Sequence, residues 1–177
     1  MEVKENEICF AKIRETAIIP TKKDEDAGYD LYADFSGDYF IIEPFKTTPV
    51  PTGIACAFAP KYYIQIEERS SMAKKAIKKS GGVMDSGYRG EYLIMLYNTN
   101  SVPFIISKVA EKDVPKKIVF NGKKYATKNA IIYPATKAIC QMVLQEVPKL
   151  NSKEITYEEL KQIASSRGAG GFGSSGK

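Results

Sequence analysis

Eight short segments, 8–13, 38–43, 54–59, 61–67, 91–97, 102–106, 130–133 and 138–147, are rich in Ile, Tyr and Phe, and several alternate apolar with polar residues. Pro, Gly or Thr-Pro breaks separate them. A period of two sends one side of a segment into a core and the other into solvent. Strands recurring every ~8–12 residues predict an all-β sandwich or barrel. Asn121-Gly122, inside Val119–Tyr125, predicts a hairpin with a type I′ turn. Two short helices are expected. One spans Met72 to Lys78; the other covers 157–164, where Thr156 and Glu159 form a T-x-x-E capping box.

At 177 residues and 44% hydrophobic content, the chain reads as one globular domain with an embellishment. No run approaches the ~18 apolar residues of a membrane helix, and the first residues are acidic and polar, unlike a signal peptide. Cys9, Cys56 and Cys140 are odd in number, far apart and set among apolar residues. They read as buried free thiols in a reducing compartment, so the cytoplasm is expected, and no zinc knuckle is visible. Histidine is absent, which excludes every imidazole mechanism and leaves Asp, Glu, Lys, Tyr or a metal hydroxide as general base. Of 26 basic residues only Arg14, Arg69, Arg89 and Arg167 are arginine, and the last three lie in Ser/Gly-rich settings. A chain this biased to lysine keeps arginine where a planar fork matters. Net charge is a modest +5. Lys74, Lys75, Lys78 and Lys79 follow Arg69 and could add positive potential for an anion, whereas the lysines of 108–128 read as a solvated face.

The candidate chemistry is scattered. Five of the 13 glycines fall within 167–176, around Arg167 and Phe172 and beside Ser174 and Ser175. That composition suits either a flexible tail or a segment that wraps a molecule with phosphates at one end and a ring at the other. Asp85 sits between glycines in Gly81–Glu91, a pattern implying a tight hairpin with exposed backbone groups and a carboxylate able to polarise water. By itself it is also an ordinary Asp-Ser-Gly turn. Asp30 stands at a turn or strand end, and Gln141 is a polar amide in an apolar strand that needs partners if buried.

Taken together these segments resemble the five ordered motifs of the trimeric dUTPase family. They are Ala27–Leu31, Arg69–Ala73, Gly82–Glu91, Cys140–Val143 and Arg167–Gly176. The resemblance implies a jelly-roll-like β barrel, a homotrimer with shared active sites, and a flexible glycine-rich C-terminal arm. Residues 1–166 would be the β domain and 167–177 the segment that closes over a neighbouring site. The implied activity is Mg²⁺-dependent hydrolysis of dUTP to dUMP and pyrophosphate, keeping uracil out of DNA and supplying dUMP for thymidylate synthesis. Asp85 would activate the water, and Tyr88 would pack under the deoxyribose. Gly82, Val83, Met84 and Asp85 would read uracil, with Leu93 nearby. Arg69, Ser70, Ser71 and Gln141 would hold phosphates, and Asp30 would hold Mg²⁺ through water. Arg167, Gly173, Ser174 and Ser175 would grip the γ-phosphate while Phe172 stacks on the base.

The chain departs from the family pattern in places. Ala138 stands where an arginine is usual, with Lys137 beside it, and Lys79 and Ser80 stand where a polar residue or asparagine often neighbours the base. Residues 107–129 read as a lysine-rich hairpin insertion, a surface for a protein partner. Neither membrane nor stable nucleic-acid binding is expected; a viral source would place the chain in the host nucleus or cytoplasm. A dCTP deaminase, the nearest rival, needs a glutamate where this chain has Leu93-Ile94-Met95-Leu96. A regulatory nucleotide-binding protein is the rival of a different class.

Overall fold

The structure, a computed structural model, describes residues 3–170. Met1–Val147 forms one compact unit and Pro148–Lys177 another. The strands of the first unit, in chain order, are β1 Ile8–Lys12, β2 Gly28–Leu31, β3 Tyr39–Ile42, β4 Thr47–Val50, β5 Ile54–Phe58, β6 Tyr62–Glu67 and β7 Ile77–Lys79. They continue with β8 Val83–Asp85, β9 Ile94–Asn98, β10 Phe104–Ser107, β11 Lys117–Phe120, β12 Lys123–Ala126, β13 Ile131–Pro134 and β14 Cys140–Glu146. A single helical turn, α1 Ser70–Ala73, interrupts them, and the second unit holds α2 Tyr157–Gln162. Among the described residues no helix is long and apolar enough to cross a membrane.

The strands form small sheets, in the orders β2-β14-β6-β8, β4-β9-β7, β13-β10-β3, β1-β5 and β11-β12. All pairs are antiparallel except β10–β13. The expected jelly-roll-like barrel results, closed around Leu31, Ile42, Ile54, Ile64, Ile66, Ile94, Leu96, Phe104 and Tyr133. Alternation places these side chains: Ile54, Cys56 and Phe58 are buried on β5, and Ile94, Leu96 and Asn98 on β9. The buried Asn98 amide donates to the Ile42 and Val102 carbonyls, which removes the cost of its burial.

β10 is buried on both faces. Its outward Ile105 joins Ile41, Ile118 and Tyr125 in a second, smaller core beneath the β11–β12 hairpin. The hairpin turns at Asn121 (φ 48°) and Gly122 (φ 75°), the two positive values that a type I′ turn requires. Segment 107–129 is therefore packed onto the barrel, with Phe120 set edge-on against Phe40 at 5.7 Å.

The structure corrects three expectations and adds a strand. The helix expected from Met72 to Lys78 stops after one turn, because Ala76 adopts φ 54° and Ile77 enters a ladder with β9 that buries it completely. Gly82–Asp85 is not half of a free hairpin: Val83–Asp85 pairs with β6, and 86–93 returns without a ladder. β4 was not anticipated; its Pro49 lies in a strand at the edge of its sheet, where a missing donor is tolerated. Cys9 is exposed, whereas Cys56 and Cys140 are buried free thiols as expected. In the second unit, α2 carries the expected capping box, with Glu159 N–H donating to Thr156 Oγ1 at 3.2 Å and Thr156 N–H to Glu159 Oε2 at 2.7 Å.

If the hairpin belongs to the cooperative unit, Ile118→Ala destabilises the whole protein by about 2–5 kcal/mol. Urea unfolding followed by far-UV circular dichroism checks this; an unchanged midpoint would mean that the hairpin unfolds independently.

Candidate active site

Three sequence-distant elements build one cleft of about 450 Å³, lined by Asp26, Ala27, Gly28, Asp30, Arg69, Ser70, Ser71 and Gln141. β14 brings Gln141 opposite Asp30 of β2 on one side and Glu67 of β6 on the other. Residues facing each other across a ladder point to the same side. Ile64 and Ile66 face the core, so Tyr63, Gln65 and Glu67, with their partners, face outward. β6 ends two residues before Arg69, whose guanidinium forms an ion pair with Asp30. Ser71 Oγ lies 3.3 Å from Tyr133 Oη, which donates to the Ala138 carbonyl at 2.8 Å. Burial raises the Tyr133 hydroxyl above its ordinary pKa and keeps it a donor. Gln141 Nε2 donates to the Glu68 carbonyl at 3.4 Å. An arginine, two hydroxyls and an amide around one cleft suit a polyanion.

A second group of candidates lies on β8, an edge strand. The Ile66 N–H bonds to the Gly82 carbonyl at 2.7 Å, so by antiparallel alternation the backbone groups of Gly82 and Met84 face β6. The N–H and C=O of Val83 and the N–H of Asp85 then point away from the sheet, an open edge able to pair with a planar base. Val83 is 63% exposed and Asp85 is also exposed. The turn that follows is closed by Tyr88 N–H on the Asp85 carbonyl at 3.1 Å and by Arg89 Nη1 on the Ser86 carbonyl at 2.5 Å. Tyr88 stacks on the buried Tyr92 at 6.0 Å and 23°. Leu93 is exposed just before β9.

The single chain does not unite these groups. Asp85 opposes Tyr63, four residues along β6 from the Glu67 that opposes Gln141, a separation of roughly 13 Å at the rise of a strand. Both groups lie on the same outward sheet face. Ala138 is buried and apolar and Lys137 is exposed, so neither lines the cleft. Lys79 ties β7 to β6, its ammonium donating to the Ile66 carbonyl at 2.6 Å and pairing with Glu67 at 3.0 Å. Arg167 bonds within its own turn, through Nε to the Gly170 carbonyl at 2.7 Å. Phe172, Gly173, Ser174 and Ser175 lie outside the described residues. Among the described residues no three metal-ligating side chains cluster.

Sequence reasoning passed over Arg14, Asp34 and Glu91. Arg14 donates to Glu91 through Nη1 at 3.1 Å and Nη2 at 2.5 Å, to Asp34 Oδ2 through Nε at 2.7 Å, and to the Asp34 carbonyl through Nη2 at 2.9 Å. Glu91 Oε1 also accepts the Thr52 and Gly53 N–H groups at 3.1 and 2.8 Å. At Gly53 (φ 66°) a Cβ would stand 2.6 Å from Asp34 Oδ2, so only glycine fits. The one available signal was a lone arginine, outside any Ser/Gly context, in a lysine-rich chain.

A jelly-roll barrel that carries an arginine, two hydroxyls and an amide around one cleft, and an open backbone edge on the same sheet, offers donors suited to phosphates and to a planar ring. The dUTPase family model matches residues 14–111. The deoxyuridine 5′-triphosphate nucleotidohydrolase of Clostridium acetobutylicum is 32% identical over 170 residues, covering 93% of each chain. The Pol polyprotein of caprine arthritis encephalitis virus is 30% identical over 171 residues, which are 97% of this chain and only 12% of that protein. Among solved structures, the Staphylococcus bacteriophage 80alpha dUTPase with dUpNHpp superimposes with a TM-score of 0.71 at 22% identity, covering 97% of this chain and 99% of that one. This chain belongs to the dUTPase family.

The Arg14 bonds hold the Glu91 carboxyl below its ordinary pKa. A depressed carboxyl contributes stability above its unfolded value of ~4.3 and loses it as pH falls through the lower folded value. Glu91→Gln is therefore expected to cost about 1–3 kcal/mol at pH 7, with the gap from the unsubstituted protein narrowing below pH ~4. Urea melts at both pH values check this; a gap that stayed constant would mean that the charge contributes nothing.

Proposed function

We propose that this dUTPase hydrolyses dUTP to dUMP and pyrophosphate in sites shared between subunits of a homotrimer, with Asp85 as the general base. Membership of the family carries the hydrolysis of dUTP itself. The separation of the two residue groups on one outward sheet face carries the sharing: a second copy would bring its β8 edge to the Arg69 cleft of the first. In that arrangement the Val83 N–H and C=O and the Asp85 N–H pair with uracil, while Gly82 and Met84, whose own backbone groups are taken by β6, hold that edge in place; Leu93 lies alongside, and Tyr88 faces the sugar. Arg69, Ser70, Ser71 and Gln141 bind phosphate oxygens. Asp85 takes a proton as the water oxygen bonds to the α-phosphorus, and the α–β bridging oxygen leaves with pyrophosphate. No histidine is needed, because phosphoryl transfer relies on positioning and charge neutralisation.

Asp30 is the carboxylate assigned to Mg²⁺; Asp26 lines the same cleft, and its Oδ2 accepts the Lys23 N–H at 3.0 Å. A single carboxylate fits an ion that keeps most of its waters and takes its other ligands from phosphates. Bound there, Mg²⁺ would neutralise phosphate charge. The segment 167–177, including Arg167, Phe172, Gly173, Ser174 and Ser175, is assigned to closing over the γ-phosphate and base.

A second role is favoured by the hairpin segment. Lys112, Lys116, Lys117, Lys124 and Lys128 are exposed, and Lys116, Lys117 and Lys128 rim a cleft of about 620 Å³ floored by Val114 and Ile132. Such a face suits an acidic protein partner.

Asp85→Asn and Arg69→Ala should each lower turnover by roughly 10²–10⁴-fold while leaving the fold intact. Co-expressed, the two inactive variants should recover a measurable part of the pyrophosphate release, because some sites then combine an intact base with an intact arginine. Failure to recover activity in verified mixed trimers would place each site within one chain. Removing 167–177 should impair turnover without changing the assembly seen by light scattering.

A further inference from the structure

Segment 86–93 lies outside every ladder, yet it carries the ring assigned to the sugar. A loop without ladder bonds is free to yield unless side chains hold it. Here they do. Tyr88 Oη donates to the Glu91 carbonyl at 3.1 Å, its ring rests on Tyr92, and the Tyr92 carbonyl accepts Thr52 Oγ1 at 2.7 Å. The Glu91 side chain is gripped by the Arg14 fork and by two backbone amides. Arg14 is in turn held against Asp34, whose other carboxylate oxygen accepts Thr16 Oγ1 at 2.7 Å. Three segments distant in sequence thus lock one end of the loop.

We propose that Arg14 and Glu91 are positioning residues for deoxyribose selectivity, holding the Tyr88 ring so that it cannot retreat from a ribose 2′-hydroxyl. This rests on the reading that Tyr88 faces the sugar. A platform excludes an extra hydroxyl only as firmly as it resists displacement, since a ring that shifts converts a clash into a contact. The base, in contrast, is read by the β8 edge, whose ladder to β6 does not involve Arg14. Loosening the clamp should therefore damage sugar selectivity and spare base selectivity. A general loss of structure would lower all rates together.

The test compares kcat/KM for dUTP, UTP and dCTP in the wild type, Arg14→Lys, Glu91→Gln and Tyr88→Phe, each measured well below its own melting temperature. Arg14→Lys and Glu91→Gln are expected to lower the dUTP/UTP ratio about tenfold or more while changing the dUTP/dCTP ratio less than about twofold. Tyr88→Phe keeps the ring but loses its tether to the Glu91 carbonyl, and should lower the dUTP/UTP ratio with an unchanged melting temperature. A dUTP/UTP ratio that survives Arg14→Lys and Glu91→Gln, or rates for all three substrates that fall in proportion, overturns the clamp alone. A wild type that used UTP as readily as dUTP would overturn the sugar-facing role of Tyr88, and the clamp with it.

Discussion

Arg14 stands where four stretches of chain meet: the end of β1, the segment after β2, the turn before β5, and the approach to β9. Its planar fork satisfies Glu91 and Asp34 at once, and Glu91 in turn caps the Thr52 and Gly53 amides. A lysine, a point charge with three rotatable donors, could not hold two carboxylates and a carbonyl in one plane. Asp34 is 4% exposed, and a charge so placed is tolerable only when paired in this way. The barrel's sheets are short, so such a polar junction sets how the irregular segments between them sit.

The proposed chemistry depends on what those sheets leave open. β8 is an edge strand, and an unpaired edge is ordinarily a liability that invites foreign strands. Here the edge is only three residues long and ends in the carboxylate of Asp85. On the same face, β14 carries Gln141 between Asp30 and Glu67, three polar groups in a row where the inward row, Tyr29, Met142 and Ile66, packs against the core. Period-two alternation thus makes one sheet both a wall of the core and the face on which the proposed site lies.

The hairpin segment shows the opposite use of a sheet face. β10 would expose Ile105 if nothing covered it; Ile118 and Tyr125 do so, and Lys108 reaches back to the Phe35 carbonyl. The lysines that look like a solvated run in sequence form the outer layer of a packed element, with Lys123 paired to Glu43 at 2.7 Å.

Short-range chemistry is written in adjacent residues, and those parts were legible: the alternating strands, the Asn121-Gly122 turn, the Thr156–Glu159 cap, and the residue types of the motifs. Each depends on backbone preferences or contacts a few residues apart, which the surrounding fold reinforces. Pairings between distant segments carry no such local mark. Ile77 is helical by neighbourhood and extended by its ladder to Asn98; β8 looks like half a hairpin and belongs to β6; Cys9 sits among apolar residues and faces solvent. Arg14 is one cation among 26 until closure brings Asp34 and Glu91 to it. Sequence alone thus determined the strongly patterned elements and the chemistry that their residue types carry. The tertiary structure decided which groups meet, because that choice follows from strand register and core closure across the whole chain.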